Sequence, residues 1–273
     1  MQQRQPDICL ISQLCQHEGL YVDITSLIGP IVALSMILGG MLLEGGHMSS
    51  VMQVTAAMIV FGGSFGSLMV AYPLPDILHA LKSIGVWMKN SHVDPNDILT
   101  TILDLAQTAR KESILALEKK REGIKYPPLA KAIKLAVDGT DPVMIRDALE
   151  IEKAFVMEEA EVAVHFFEDF GAIAPTIGIL GAVIGLIHVM NNLDNPDAIG
   201  PGIAVAFVAT LYGVGSANIF GIPIGKKLKR KMLHDAAARE MVMIGVDGIL
   251  SGLNPKLIEE KLSIFCPGRA MED

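Results

Sequence analysis

Apolar and charged positions fall along this chain in long blocks rather than in short periods. Residues 24–43, ITSLIGPIVALSMILGGMLL, are twenty positions without Asp, Glu, Lys or Arg. As a helix they extend about 30 Å, enough to cross the hydrocarbon core of a bilayer. After the turn EGGHMSS the uncharged stretch 51–74 is long enough for a second crossing. Two more uncharged stretches, 170–193 and 198–225, are separated by DNPD at 194–197. The pattern predicts four spans arranged as two hairpins. Between the pairs lies a charged block, 76–169, and after them a polar tail, 226–273.

Inside the charged block the periodicity is helical. Asp94-Pro95-Asn96-Asp97 reads as a helix start, with apolar positions at Ile98, Ile102, Leu105, Ala109, Ile114 and Leu117 before Gly123 ends the run. A second helix is expected from about Pro128 to Val137, closed by Asp138-Gly139. A third is expected after Asp141-Pro142, rich in Glu152, Glu158, Glu159 and Glu161, with the option of continuing into the third span. The predicted fold class is all-α, an integral membrane protein with four transmembrane helices in two hairpins and a helical cytoplasmic domain.

Composition narrows the class further. Hydrophobic residues make up 51% of the 273 positions and charged residues 19%, with a mean hydropathy of +0.45. That balance disfavours a soluble enzyme, a disordered chain and a nucleic-acid binder. Aromatics are 5%, which suits closely packed helices better than an aromatic-girdled barrel. The net charge of −8 offers no overall attraction for DNA or RNA. Its distribution is uneven: of 22 Lys and Arg, 12 lie in the central block, 9 in the tail and one, Arg4, near the start, while neither hairpin turn has any. The cluster GKKLKRK directly follows the fourth span, so the positive-inside rule places both termini and the central block in the cytoplasm. Residues 1–22 lack a basic n-region and a cleavage site; they read as a cytoplasmic leader or as an extension upstream of a true start near Val22. Cys9, Cys15 and Cys266 form no CxxC pair or metal-ligand spacing, and read as thiols in a reducing compartment.

The spans themselves carry no acid and no lysine or arginine. A chain that moved cations unaided would normally need an intramembrane ionisable group, so a partner supplies it or the chain does not conduct. In the third span Pro175, Gly178, Ala182 and Gly185 recur at three and four residues, with Thr176 beside the proline. In the fourth, Ala206, Thr210, Gly213, Ala217 and Gly221 repeat the device, followed by Pro223. Such faces permit helices to pack closely, line a narrow path or clasp a partner helix. Pro175 and Pro223 remove the backbone donors that would satisfy the carbonyls of Gly171 and Ile219. Thr210 has two readings, a bond to its own helix four residues back or a hydroxyl shown to a passing ion. His47 and His188 stand without second ligands, so no metal and no cofactor are expected. Arg110 and Glu118 are eight residues apart, on broadly the same side of a continuous helix, which by itself reads as a solvated face.

These residues resemble the flagellar stator family of MotA and its sodium-driven relative PomA, within the wider MotA/TolQ/ExbB superfamily. The matching segments are DITSLIGPIVALSMILGG, ARKESILALE, FGAIAPTIGILGAVIGLIHVMNNLDNPDAIGPGIAVAFVATLYG and FGIPIGKKLK. The resemblance implies five copies around two helices of a single-span MotB/PomB partner, whose intramembrane Asp binds the ion. It assigns Arg110, Lys111 and Glu118 to contacts with the rotor switch protein FliG. It assigns Pro175 and Pro223 to coupling, and Thr176, Ala182, Ala209 and Thr210 to the ion path. Two PomA threonines are replaced here, by Ala182 and Ala209. Loss of those hydroxyls removes oxygen ligands for sodium and favours proton coupling, although IGPGIAVAF and ATLYG are PomA-like. The implied location is the bacterial inner membrane. Alternative readings are an ExbB/TolQ-type energiser of outer-membrane processes, which commonly has three spans, and a non-conducting scaffold. No nucleophile, base or metal cluster points to an enzyme.

Overall fold

The computed structural model describes residues 23–89, 94–194 and 196–266. The leader 1–22 with Arg4, Cys9 and Cys15, Asn195 of the DNPD turn, and 267–273 lie outside the described residues. Among the described residues all elements are helical: α1 (Ile24–Leu43), α2 (Met48–Ala71), α3 (Leu74–Met88), α4 (Pro95–Lys111), α5 (Leu117–Arg121), α6 (Pro127–Val137), α7 (Pro142–Met190), α8 (Pro196–Ser216), α9 (Ile222–Leu250) and α10 (Pro255–Ser263). Helices α1, α2, α7 and the run α8–α9 are each long and apolar enough to cross a membrane. The described residues divide into two compact units, one drawn from 23–89 and 160–229, the other from 94–159 and 230–266. Helices α7 and α9 each contribute to both.

In the apolar unit, Asp23 caps α1 by accepting the Thr25 N–H at 3.1 Å. The second span begins earlier and ends earlier than the uncharged stretch 51–74 suggests. Helix starts at Met48 inside the turn and stops at Tyr72, whose φ of −121° and ψ of 137° are what a following proline, Pro73, demands. The span is also broken at Met52–Gln53 and carries a π-helical turn at Met58–Gly62. Immediately after Pro73 the chain forms α3, which buries Ile77, Ala80 and Ser83. Ile77 and Ala80 join Leu68, Phe166, Phe167, Ile224 and Leu228 in one core. Tyr72 meets Phe166 edge-on at 5.5 Å, and its hydroxyl donates to Asp169 Oδ2 at 2.6 Å.

The polar unit is built on amphipathic faces. Ile98, Leu99, Ile102 and Leu105 of α4 pack with Leu129 and Ile133 of α6, Ile145 and Leu149 of α7, Met241 and Val246 of α9, and Ile258 and Leu262 of α10. Helix α6 ends at Gly139, whose φ of +77° suits glycine. Arg239 is 7% exposed and bound by Asp235 Oδ2 at 2.7 Å and Glu152 Oε1 at 3.1 Å, while Lys131 also donates to Glu152. Burial works against both charges. The hydrogen bonds of Lys131 and Arg239 nevertheless hold Glu152 below its ordinary pKa, and Asp235 holds Arg239 above its own.

One continuous helix from Asp94 to Gly123 does not form. Helix α4 stops at Lys111, Ser113 takes a φ of 135°, a 3-10 turn covers Ile114–Ala116, and α5 follows. The reason is geometric. On a continuous helix Ile114 would lie roughly 160° round from Ile98. The break re-aims the chain so that Leu117 is fully buried in the core and Ile114 packs against it. Similarly, the tail from 226 does not start as a separate segment: α9 carries the helix of the fourth span on to Leu250.

Candidate functional site

The small-residue faces of the third and fourth spans meet each other. A Cβ on Gly178 would lie 2.9 Å from Ala209 O, and one on Gly213 would lie 2.5 Å from Ala174 O. Gly185 approaches Gly202 O and Ala206 in the same way. Glycine is required here because backbone touches backbone. Beside this seam lies a groove of ≈ 440 Å³ lined by Ala182, Leu186, Ala206, Phe207, Thr210, Leu211 and Val214. The groove has one hydroxyl and no ionisable group. Thr210 Oγ1 donates to Ala206 O at 3.1 Å, the local helix bond, and keeps its lone pairs toward further donors or cations.

Of the three positions grouped by sequence, Ala182 and Thr210 line the groove but Ala209 does not. Ala209 is 0% exposed, packed with Ala56, Val60 and Val208. The prolines also differ. Pro175 lies within unbroken α7, where the exposed Thr176 donates to Ile173 O at 2.7 Å. Pro223 follows a π-helical turn at Ala217–Gly221 that contains Ile219, so a wider turn stands where the missing donor would have left a gap.

Two polar clasps hold the span ends, and neither was evident from the residue pattern. Lys227 Nζ contacts Asp23 Oδ2 at 2.6 Å, Thr25 Oγ1 at 3.0 Å and Ser26 Oγ at 2.6 Å. Thus one lysine of GKKLKRK binds the start of α1. The Lys227 hydrogen bond lowers the Asp23 pKa to about 2. In the second clasp the Tyr212 hydroxyl donates to Val51 O at 2.5 Å and accepts the Gln53 N–H at 3.2 Å. It satisfies two of the backbone groups freed by the break in α2, Val51 O and the Gln53 N–H, and its ring stacks on Phe61 at 6.1 Å.

In the polar unit Arg110, Lys111 and Glu118 are all exposed. They flank the break after α4 and do not share one helix face. Glu118 has Arg121 Nη2 at 3.5 Å, while Lys120 pairs with Asp104 at 2.6 Å. Ser113 stands in a region that L side chains rarely adopt, a strain of order 1–3 kcal/mol. Among the described residues no group of three or more His, Cys, Asp or Glu is placed to hold a metal.

Comparison with known proteins places these features. The model for the MotA/TolQ/ExbB proton channel family matches residues 120–241, and the motility protein A N-terminal model matches residues 27–113. Motility protein A of Bacillus subtilis is 34% identical over 91% of this chain and 92% of its own. The chain belongs to the motility protein A family. Motility protein A of Aquifex aeolicus is 35% identical over 89% of this chain and 96% of its own, and chemotaxis protein PomA of Vibrio alginolyticus is 33% identical over 89% and 95%. Among solved structures, MotAB of C. jejuni superposes with a TM-score of 0.83 at 30% identity, covering 92% of this chain and 97% of the other. The flagellar MotAB stator complex of Bacillus subtilis does so with a TM-score of 0.82 at 33% identity, over 91% and 100%. The family is that of a channel subunit rather than an enzyme, and with four apolar helices the chain is a multi-pass inner-membrane protein.

Proposed function

We propose that this chain is a flagellar motor stator subunit that forms, with a MotB/PomB-like single-span partner, an ion channel coupling proton flow to rotation. Five copies surround the partner helices, both termini and the polar unit face the cytoplasm, and Arg110, Lys111 and Glu118 meet the rotor switch protein FliG. The observation that carries the reading is the groove beside the seam of the third and fourth spans, which has Thr210 for polarity and no acid of its own. The partner's Asp supplies the charge there. Its protonation removes the cost of an ion in apolar surroundings, and the ring steps to the next groove. Pro175, Thr176 and Pro223 lie on the helices that move against the partner. Ala182, Ala209 and Thr210 leave one hydroxyl near the path, and Ala209 is packed away from it, which supports a proton over a sodium ion that must be surrounded by oxygens.

The match of the motility protein A N-terminal model over 27–113 favours this reading over an ExbB/TolQ-type energiser or a non-conducting scaffold. Tethered-cell rotation in a strain lacking its own stator tests it. With the chain and its partner expressed, rotation continues when potassium replaces sodium and stops with a protonophore. Speed that rises from zero with external sodium and saturates refutes proton coupling; absence of rotation with both proteins in the membrane refutes the stator assignment.

A further inference from the structure

The 3-10 turn between Arg110 and Glu118 carries an exposed leucine between two charged flanks. Leu115 is 69% exposed, while Leu117 two residues on is fully buried and Ile114 packs against the core. The two flanking anchors hold the turn, and Ser113, with its φ of 135°, sets the angle at which the chain leaves α4. Leu115 is therefore displayed on a supported turn. Around it the charge is biased: from Arg110 to Lys125 six cationic residues stand against three acidic ones, in a chain whose overall charge is −8. Among the described residues Arg110, Lys111 and Lys119 make no ion pair.

Exposed charges alone steer a partner and fix its orientation, but in water they add little lasting affinity. Residence on a partner comes from a small desolvated apolar anchor ringed by polar groups. We propose that Leu115 is that anchor, inserting into an apolar socket on a predominantly acidic protein surface while Arg110 and Lys111 on one side and Lys119 on the other pair with the socket's rim. The inference rests on the rotor-contact reading of Arg110 and Glu118, and names the residue that turns a charge encounter into a docked state. A folded protein fits better than an anionic lipid surface, because Glu112, Glu118 and Glu122 are interleaved with the cations around the turn and need cationic groups opposite them, which a protein rim supplies beside its acids and a sheet of lipid phosphates does not.

The test measures binding of the intact complex of this chain with its single-span partner to purified rotor switch protein. Leu115→Ser is expected to weaken binding roughly tenfold, the size of losing one desolvated apolar side chain. Leu115→Met, which keeps the apolar volume, is expected to bind within about twofold of the parent. Arg110→Glu serves as the control for the underlying reading, and co-purification with the partner and unchanged melting control for folding. If Arg110→Glu weakens binding and Leu115→Ser does not, the anchor is refuted and the rotor reading stands. If neither weakens it, or the parent does not bind, both fail. A photoreactive phenylalanine at 115 is expected to crosslink to the rotor protein in cells; crosslinks confined to lipid or to a second copy of this chain overturn the proposal.

Discussion

The hydroxyl of Tyr212 satisfies two backbone groups in an apolar setting, and that makes its removal costly out of proportion to one oxygen atom. Tyr212→Phe keeps the ring and its stacking on Phe61 but leaves Val51 O and the Gln53 N–H without their partner. Unsatisfied buried groups cost about 1–3 kcal/mol. The variant should therefore unfold at lower temperature in detergent, with faster hydrogen exchange at Gln53; an unchanged amide there would show that the hydroxyl holds nothing. A different dependence belongs to Asp23. Its pKa is lowered from 3.8 to about 2, first by the Lys227 hydrogen bond, so its contribution to stability is present above 3.8 and disappears as pH falls through 2. Asp23→Asn should melt lower than the parent at neutral pH, and the gap should close between pH 4 and about 2. A gap that persists unchanged to the acid end would mean that the carboxylate charge is not what binds Lys227.

At the scale of elements, the seam between the third and fourth spans rests on residues without side chains. Gly213→Ala places a methyl 2.5 Å from Ala174 O, which forces the helices apart. Overpacking of this kind costs about 1–3 kcal/mol. Lower melting and loss of partner co-purification are expected, whereas Gly215→Ala, with open space around its Cβ position, should behave as the parent. The small-residue stripes were legible in the spacing of Gly178, Gly185, Ala206 and Gly213, but packing on each other was one of three uses that spacing allows, and only the close backbone approach selects it. Four spans were legible too, since absence of charge over twenty residues is a strong signal. The break at Met52–Gln53 was not, because nothing local stops the helix there and its compensation comes from Tyr212, far away in sequence. The start of helix α3 is hidden in the pattern, because its first residue, Leu74, continues the uncharged stretch of the second span. A single helix from Asp94 to Gly123 is ruled out by phase: Ile114 lies roughly 160° round from Ile98 when the period is counted across Ser113. Ala209 was grouped with Ala182 and Thr210 by resemblance, yet adjacency to Thr210 puts it about 100° round the helix and into the core.

For the whole molecule, topology and conduction are the claims to test. The turn at 44–50 has no Lys or Arg while GKKLKRK follows the fourth span, so a cysteine at Ser49 should react with an impermeant reagent added outside intact cells and one at Ser263 should not. Labelling of Ser263 from outside would reverse the assigned orientation. The central claim is that the path is shared: this chain supplies a groove with a hydroxyl and no acid, and the partner supplies the acid. Proton flux into liposomes under a fixed membrane potential measures this directly. Negligible flux is expected from the chain alone, flux when the single-span partner is present, and its loss when the partner's intramembrane Asp becomes Asn; sustained proton flux from the chain alone, or flux indifferent to that Asp, contradicts a shared path.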